Sequence, residues 1–414
     1  MEIGLHDIQA AAERIRGAVL RTPCTPAVAL SEVTGCQIFC KFENLQRTGS
    51  FKERGARNAL LLLTDEQKRR GVIAASAGNH ASALSYHGKL LNIPVTVVMP
   101  RLAPLMKVRN CEQSGARVLL HGNDIGEACE HAMQFVRDQK LTYINGFDDL
   151  AIIAGQGTLG IEILEQVPEC DAILVPIGGA GLIAGVALAV KAMKPRVQII
   201  GVQAEHTASF DAALKAGTPT QIEVRSTLAD GLAVPRVGDN AFAIGRKLVD
   251  KTVIVSEHRI ALAVLRLIEL EKSVVEGAGA APLAALLGDE LSALRGKKVI
   301  LPLCGGNIDT TMLGRIIERG LAADGRLCRL VANISDRPGG LARFASILAE
   351  EGASVRNVEH DRAFAGDDIS QVVVHCVVET RDFDHIARLR QRLRQEGFEA
   401  HLAVAEVPPQ TSGS

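Results

Sequence analysis

Val72-Ile73-Ala74-Ala75-Ser76-Ala77-Gly78-Asn79-His80 is the stretch that decides the fold class. Its four small apolar residues read as a buried strand, which runs straight into a Ser-Ala-Gly-Asn turn. A helix pattern follows over residues 81–91, with Ser and Asn at hand as cap residues. The same succession recurs in both directions. Upstream, residues 37–42 read as extended and 56–63 as a helix. Downstream, strands at 95–99, 117–120, 141–144, 172–175, 198–202, 253–255 and 298–303 alternate with helices at 108–114, 124–140, 155–166 and 259–272, and with one ending at Met193. Strands separated by helices predict a mainly parallel sheet covered on both faces. The expected architecture is therefore α/β, doubly wound and in two lobes, with ligand loops at the carboxyl ends of the strands.

The bulk numbers agree with a soluble, globular chain with ample core. Its 414 residues are too many for one typical domain. Apolar residues make up 47%, charged residues 22%, and the formal net charge is -1. This balance argues against nucleic acid or an anionic membrane as partner. Aromatic content of 3% without Trp argues against base-stacking platforms. The acidic start, Met1 to Asp7, lacks the basic-then-apolar run of a secretory signal, and no apolar stretch reaches membrane-spanning length. The nine cysteines are scattered; Cys36 and Cys40 flank a strand-like run without nearby His. Reduced thiols in the cytoplasm, and no metal, are the expectation.

Near Leu321 the character changes. A small polar linker at 322–325 precedes a strand (328–334), the turn Asp336-Arg337-Pro338-Gly339-Gly340, and a helix (341–351). Strands at 353–360 and 370–379, a helix at 382–396 and a strand at 399–405 complete a βαββαβ order, the ferredoxin-like small domain. The expected division is a catalytic domain at 1–321, with a small lobe at about 46–150, then a small domain at 326–406 and a disordered Pro/Ser/Gly tail at 407–414.

Four loops carry candidate chemistry. Thr48-Gly49-Ser50-Phe51-Lys52-Glu53-Arg54-Gly55-Ala56 places one lysine at a loop-to-helix junction. The positive end of a helix dipole disfavours its ammonium form, one route to an amine able to form a Schiff base. Val175-Pro176-Ile177-Gly178-Gly179-Ala180-Gly181-Leu182 leaves backbone amides unobstructed at a helix start, a cradle for phosphate. It is neither the dinucleotide fingerprint nor a Walker loop. Ser76 to His80 offers consecutive amides for a carboxylate. Leu303-Cys304-Gly305-Gly306-Asn307 ends the last strand of the larger part.

Taken together, these loops resemble the fold-type II pyridoxal-phosphate enzymes, specifically the serine/threonine dehydratase (threonine ammonia-lyase) family with its tryptophan synthase β-like fold. Leu228-Ala229-Asp230-Gly231 and Val275-Glu276-Gly277-Ala278-Gly279 add to the match, which spans roughly residues 10–320. The βαββαβ tail with Asp336-Arg337-Pro338-Gly339 resembles an ACT domain, an amino-acid-binding regulatory module. The resemblance implies that Lys52 binds pyridoxal 5'-phosphate and then removes the substrate Cα proton. It implies Asn79 on the ring oxygen, Phe51 beside the ring, and the amides of Gly178, Gly179, Ala180, Gly181 and Leu182 on the phosphate. Ser76, Ala77, Gly78, Asn79 and His80 would take the substrate carboxylate, and Cys304 would face the pyridine nitrogen. The implied reaction turns L-threonine into 2-oxobutanoate and ammonia, and L-serine into pyruvate. The turn Asp336 to Gly340 with Leu341 would hold an amino-acid effector, with isoleucine or valine as the family's default and isoleucine biosynthesis as the setting. A dimer or tetramer is the expected assembly.

Departures from the family pattern matter. Ala180 stands where relatives usually have a third glycine, and a methyl is tolerable there if φ stays negative. Serine racemases, the rival within the family, resemble this chain but carry Ser at the position of Ala77, where a methyl cannot move a proton. Their divalent cation uses acidic side chains where Gln203 and Ser209 stand here. A hydroxyaspartate dehydratase, or a silent amino-acid sensor that kept the fold, are the further alternatives.

Overall fold

The computed structural model describes residues 3–362 and 370–403. Two compact units divide the chain between Asp309 and Thr310. In the first, a six-stranded sheet has the order Cys24–Pro26, Gln37–Lys41, Lys298–Pro302, Ala172–Pro176, Gln198–Ala204, Lys251–Val255. Only the first pair is antiparallel. Ala172–Pro176 is buried at every residue, as its unbroken apolar run requires of a strand covered on both faces. A second, wholly parallel sheet has the order Arg117–Leu120, Val95–Met99, Val72–Ala75, Thr142–Tyr143.

Strand order decides where ligands bind. In the smaller sheet the direction of winding reverses at Val72–Ala75, and in the larger at Ala172–Pro176. Such switch points leave a crevice beyond the strands' carboxyl ends. The two loops that emerge there are Ser76 to Asn79 and Ile177 to Ala180.

Helix Leu150–Gln166 starts five residues before the expected 155, because the Asp149 side chain accepts from the amides of Ala151 and Ile152 and caps it. It crosses helix Lys52–Leu62 nearly backbone to backbone: a Cβ on Gly155 would lie 2.6 Å from the Gly55 Cα. Helix Gly277–Leu286 escapes a periodicity reading because all ten of its residues are buried and no polar face marks it.

The second unit opens with helix Thr310–Ala323, so the boundary expected at Leu321 moves to the start of that helix. The supposed linker is the helix end and its turn. The antiparallel sheet that follows has the order Ser354–Asp361, Gln371–Glu379, Leu327–Ser335, Ala400–Ala403. Helices Gly340–Glu350 and Phe383–Gln395 complete the βαββαβ order. Alternating burial along Gln371–Glu379 turns Val372, Val374, Cys376 and Val378 onto Phe344, Leu348 and Leu389. The expected tail, and the last expected strand beyond Ala403, lie outside the described residues.

Candidate active site

Lys52 is the first residue of helix Lys52–Leu62 and Phe51 is its cap. The lysine is fixed to the third loop through its neighbours: Phe51 N donates to the Cys304 carbonyl at 3.0 Å, and Ser50 forms a β-bridge with Gly305. Lys52 Nζ donates to the Gly146 carbonyl. Burial holds its pKa down to about 8, offset in part by Glu276 and Cys304. Loss of water around the amine, rather than the helix dipole expected above, is the principal cause.

The lysine lies in a cavity of about 510 Å³, lined also by Asn79, the 178–182 loop, Glu276 and Cys304. That volume suits a cofactor-sized ligand. The 178–182 loop leads into helix Gly181–Met193, whose first-turn amides have no intrahelical partners. A Cβ on Gly179 would strike the Phe147 ring at 2.2 Å, so the turn is closed to any larger residue. Ala180 does not meet the condition under which a methyl is tolerable there: its φ is +72°, in the left-handed region. We therefore expect Ala180→Gly to raise the thermal midpoint of the cofactor-free protein by about 1–2 °C, through relief of about 0.5–1 kcal/mol of strain. A lowered midpoint in differential scanning would refute that strain.

Ser76 Oγ accepts from Gly78 N at 3.3 Å and shapes the second loop. Nothing approaches the Cβ position of Gly78, which leaves open space before helix Asn79–Leu91. His80 turns its ring to the Ile144 carbonyl, with Nε2 at 3.0 Å, and burial together with the nearby Lys52 amine drives its pKa down to about 3. It is neutral at working pH. The Cys304 thiol donates to the Pro302 carbonyl at 3.3 Å, and burial keeps it protonated, well above the usual thiol range.

Three parts of the site were not singled out in the sequence. The turn Asn145-Gly146-Phe147-Asp148 has no glycine-rich or motif signature, yet it meets Lys52, His80 and the 178–182 loop. Asn145 Oδ1 accepts from the amides of Phe147 and Asp148 at 3.0 Å, which aims the Gly146 carbonyl at Lys52 and lays Phe147 on the phosphate-loop candidate. Asp230 pairs with Lys107 at 2.9 Å at the cavity edge, and Glu276 lies buried inside. Both stood in quoted motifs without a role. Among the described residues no group of three or more His, Cys, Asp or Glu could hold a metal. Gln203 Oε1 accepts from the Phe210 and Asp211 amides at the start of helix Ser209–Ala216.

In the second unit, Asp336 to Leu341 form one turn leading into helix Gly340–Glu350, with Gly339 at φ +95°. Gly340 N donates to the Arg337 carbonyl, Pro338 is exposed, and Leu341 is 37% exposed. The Asp336 carboxylate is held by Arg362 Nε and Nη2 at 3.0 Å, which lowers its pKa.

Comparison with known proteins matches residues 15–305 to the family described as pyridoxal-phosphate dependent enzymes and residues 329–395 to the ACT domain. The chain is 43% identical to the L-threonine ammonia-lyase of Thermotoga maritima over 97% of this chain and 99% of that protein. It is 44% identical to the enzyme of the same name from Geobacter sulfurreducens over 94% and 97%. Among solved structures, the processed form of threonine deaminase isoform 2 from Solanum lycopersicum aligns with a TM-score of 0.72 and 34% identity, covering 76% of this chain and 92% of that one. Maize serine racemase aligns with a TM-score of 0.73 and 35% identity, covering 78% and 98%. The cavity fits such a cofactor: an amine of lowered pKa, a glycine cradle that a Cβ at 179 would close, and a buried neutral thiol share one space. The chain belongs to the family of pyridoxal-phosphate dependent enzymes, and its catalytic part is followed by an ACT domain.

Proposed function

We propose that the protein is a threonine ammonia-lyase, releasing 2-oxobutanoate and ammonia from L-threonine and pyruvate from L-serine. The observation that carries this reading is one cavity joining an amine of pKa near 8 to the amide-rich loop Ser76 to His80, whose second residue, Ala77, has no proton to give. Near-full-length similarity to two L-threonine ammonia-lyases supports it. Pyridoxal phosphate, when bound, supplies an electron sink that acidifies the substrate Cα–H and lets the β-hydroxyl depart. Lys52 holds the cofactor and, once freed, takes the Cα proton; its pKa near 8 suits proton transfer at cytoplasmic pH. The loop and first-turn amides of Gly178 to Leu182 would take the phosphate, and those of Ser76 to His80 the substrate carboxylate. Asn79 would meet the ring oxygen, and Phe51 would lie beside the ring. Cys304 stays neutral and gives its hydrogen to Pro302, so it places no charge beside the ring nitrogen.

Regulation belongs to the same proposal. An amino acid, isoleucine or valine by default, binds at Asp336 to Leu341, and the protein works as a cytoplasmic dimer or tetramer. Purified holoenzyme should be assayed with L-threonine, L-serine, D-serine and hydroxyaspartate, with and without isoleucine or valine. Expected are 2-oxobutanoate from L-threonine and a response to an effector that disappears on deleting residues after Leu321. D-serine formed from L-serine without pyruvate would replace this reading by that of a racemase, the activity in the name of the maize neighbour. Bound amino acid with no turnover would reduce the protein to a sensor.

A further inference from the structure

Glu276 is a buried carboxyl inside the cavity for which the proposed reaction has no task. It sits at the cap position of helix Gly277–Leu286, where its side chain makes no capping bond. Instead Oε1 accepts from Asn79 Nδ2 at 2.7 Å. The polarity of this contact is fixed from the far end. Asn307 Nδ2 donates to the Thr48 carbonyl at 2.7 Å, and a carbonyl can only accept. The same nitrogen donates to Asn79 Oδ1 at 2.8 Å. Asn79 is thereby held with its oxygen toward Asn307 and its nitrogen toward Glu276. A flipped amide would set nitrogen against nitrogen at one end and oxygen against carboxylate at the other. The space for the carboxylate is reserved by the chain: a Cβ on Gly305 would lie 2.3 Å from Glu276 Oε1 and 3.1 Å from Asn79 Nδ2.

We infer that Glu276 is a positioning residue which, with Asn307, locks the Asn79 amide so that its second N–H faces the cofactor's ring oxygen. The inference rests on the role proposed above for Asn79. One amide hydrogen is taken by Glu276, and Asn79 lines the cavity, where its other hydrogen is available to a ligand. The same clamp joins the 76–80 loop of the small sheet to two loops of the large one, so the amide is fixed before the cofactor arrives. Such preorganisation tightens binding because no side-chain freedom is lost on association.

The groups facing Glu276 give the clamp a signature. Burial and the Asp230 carboxylate push its pKa up to about 7, while Asn79, Lys107 and the Asn307 backbone N–H pull it down. Lys52 faces it from the lysine helix and Cys304 from the loop that follows strand Lys298–Pro302. A carboxylate accepts more strongly than a carboxylic acid, so the bond that holds Asn79 strengthens as pH rises through neutrality.

The test uses Glu276→Gln, Glu276→Ala and Asn307→Ala, with pyridoxal phosphate titrated into cofactor-free protein by fluorescence and the holoenzyme's visible absorbance followed from pH 5.5 to 8.5. Glu276→Ala and Asn307→Ala are expected to bind pyridoxal phosphate about tenfold more weakly, or worse, and to redistribute its absorbance bands. Glu276→Gln keeps an acceptor oxygen; it should bind within about threefold of the parent while losing the absorbance transition near neutral pH. A Glu276→Ala protein that binds and absorbs like the parent, or a Glu276→Gln protein that keeps the neutral transition, overturns the inference. Should Glu276→Ala fail to fold, the other two variants decide alone. A parent that binds the cofactor but does not turn over threonine would break the proposed function and leave this test intact.

Discussion

Lys52→Ala is expected to lower threonine turnover by about four orders of magnitude or more, because it removes the group that both holds the cofactor and moves the proton. Borohydride should fix pyridoxal phosphate covalently to the parent and leave the variant's cofactor free to wash away. Parent-like turnover, or cofactor fixed to another lysine, would remove Lys52 from the mechanism. The fold should survive. In the cofactor-free parent the ammonium must form in a buried place, which costs stability below pH 8. The sign follows from linkage: between about 8 and the ordinary lysine value the unfolded chain binds more protons, so parent stability rises with pH across that window. The variant lacks this rise. Denaturant midpoints of the two proteins at pH 7.5 and 10 should therefore shift relative to each other in the parent's favour at the higher pH.

The glycine loop and the Ser76 to His80 loop were legible in sequence because each lies where a short apolar strand meets a helix, and strand–turn–helix periodicity exposes that junction. The switch points at Val72–Ala75 and Ala172–Pro176 then brought those two loops to one crevice. What stayed hidden depended on contacts far apart in the chain. Asn145 to Asp148 has no local signature; its value lies in a carbonyl aimed at Lys52 and a ring laid on Gly179, each visible only after folding. Glu276 read as part of a motif, but its task comes from Asn79 across 197 residues. Helices without a polar face, such as Gly277–Leu286, gave no period to detect. At Ala180 the sequence showed an alanine among glycines and left its φ open, whereas the folded turn, whose flanking Gly179 and Gly181 pack on Phe147, holds it at +72°.

The second large effect is expected two residues along from the lysine. Arg54 is fully buried on the same helix, with Nε and Nη2 donating to the two Glu43 oxygens at 2.8 Å. Its Nη1 reaches Glu162 at 2.7 Å and Thr158 at 3.1 Å, while Lys41 Nζ reaches Glu162 at 2.6 Å and the Thr22 carbonyl at 2.7 Å. Two cations and two carboxylates thus cancel, with hydrogen bonds filling the rest. Burial alone would raise Glu43, but Arg54 and Lys41 outweigh it and hold the carboxyl below its usual range. Arg54→Ala strands Glu43 beside a single shared lysine, and a loss of about 3–5 kcal/mol is expected. The network also fixes the turn that carries Lys52, so residual folded protein should bind cofactor poorly. Because a depressed carboxylate gives stability above its unfolded pKa and loses it in acid, the difference between parent and variant should shrink below about pH 4.5. Glu43→Gln added to Arg54→Met should be less damaging than Arg54→Met alone, since removing both charges leaves nothing uncompensated. Thermal midpoints of the cofactor-free parent, Arg54→Ala, Arg54→Met and the double variant at pH 7.5 and 4 decide it: a double variant no more stable than Arg54→Met would show that packing around Arg54, and not its charge, secures the lysine.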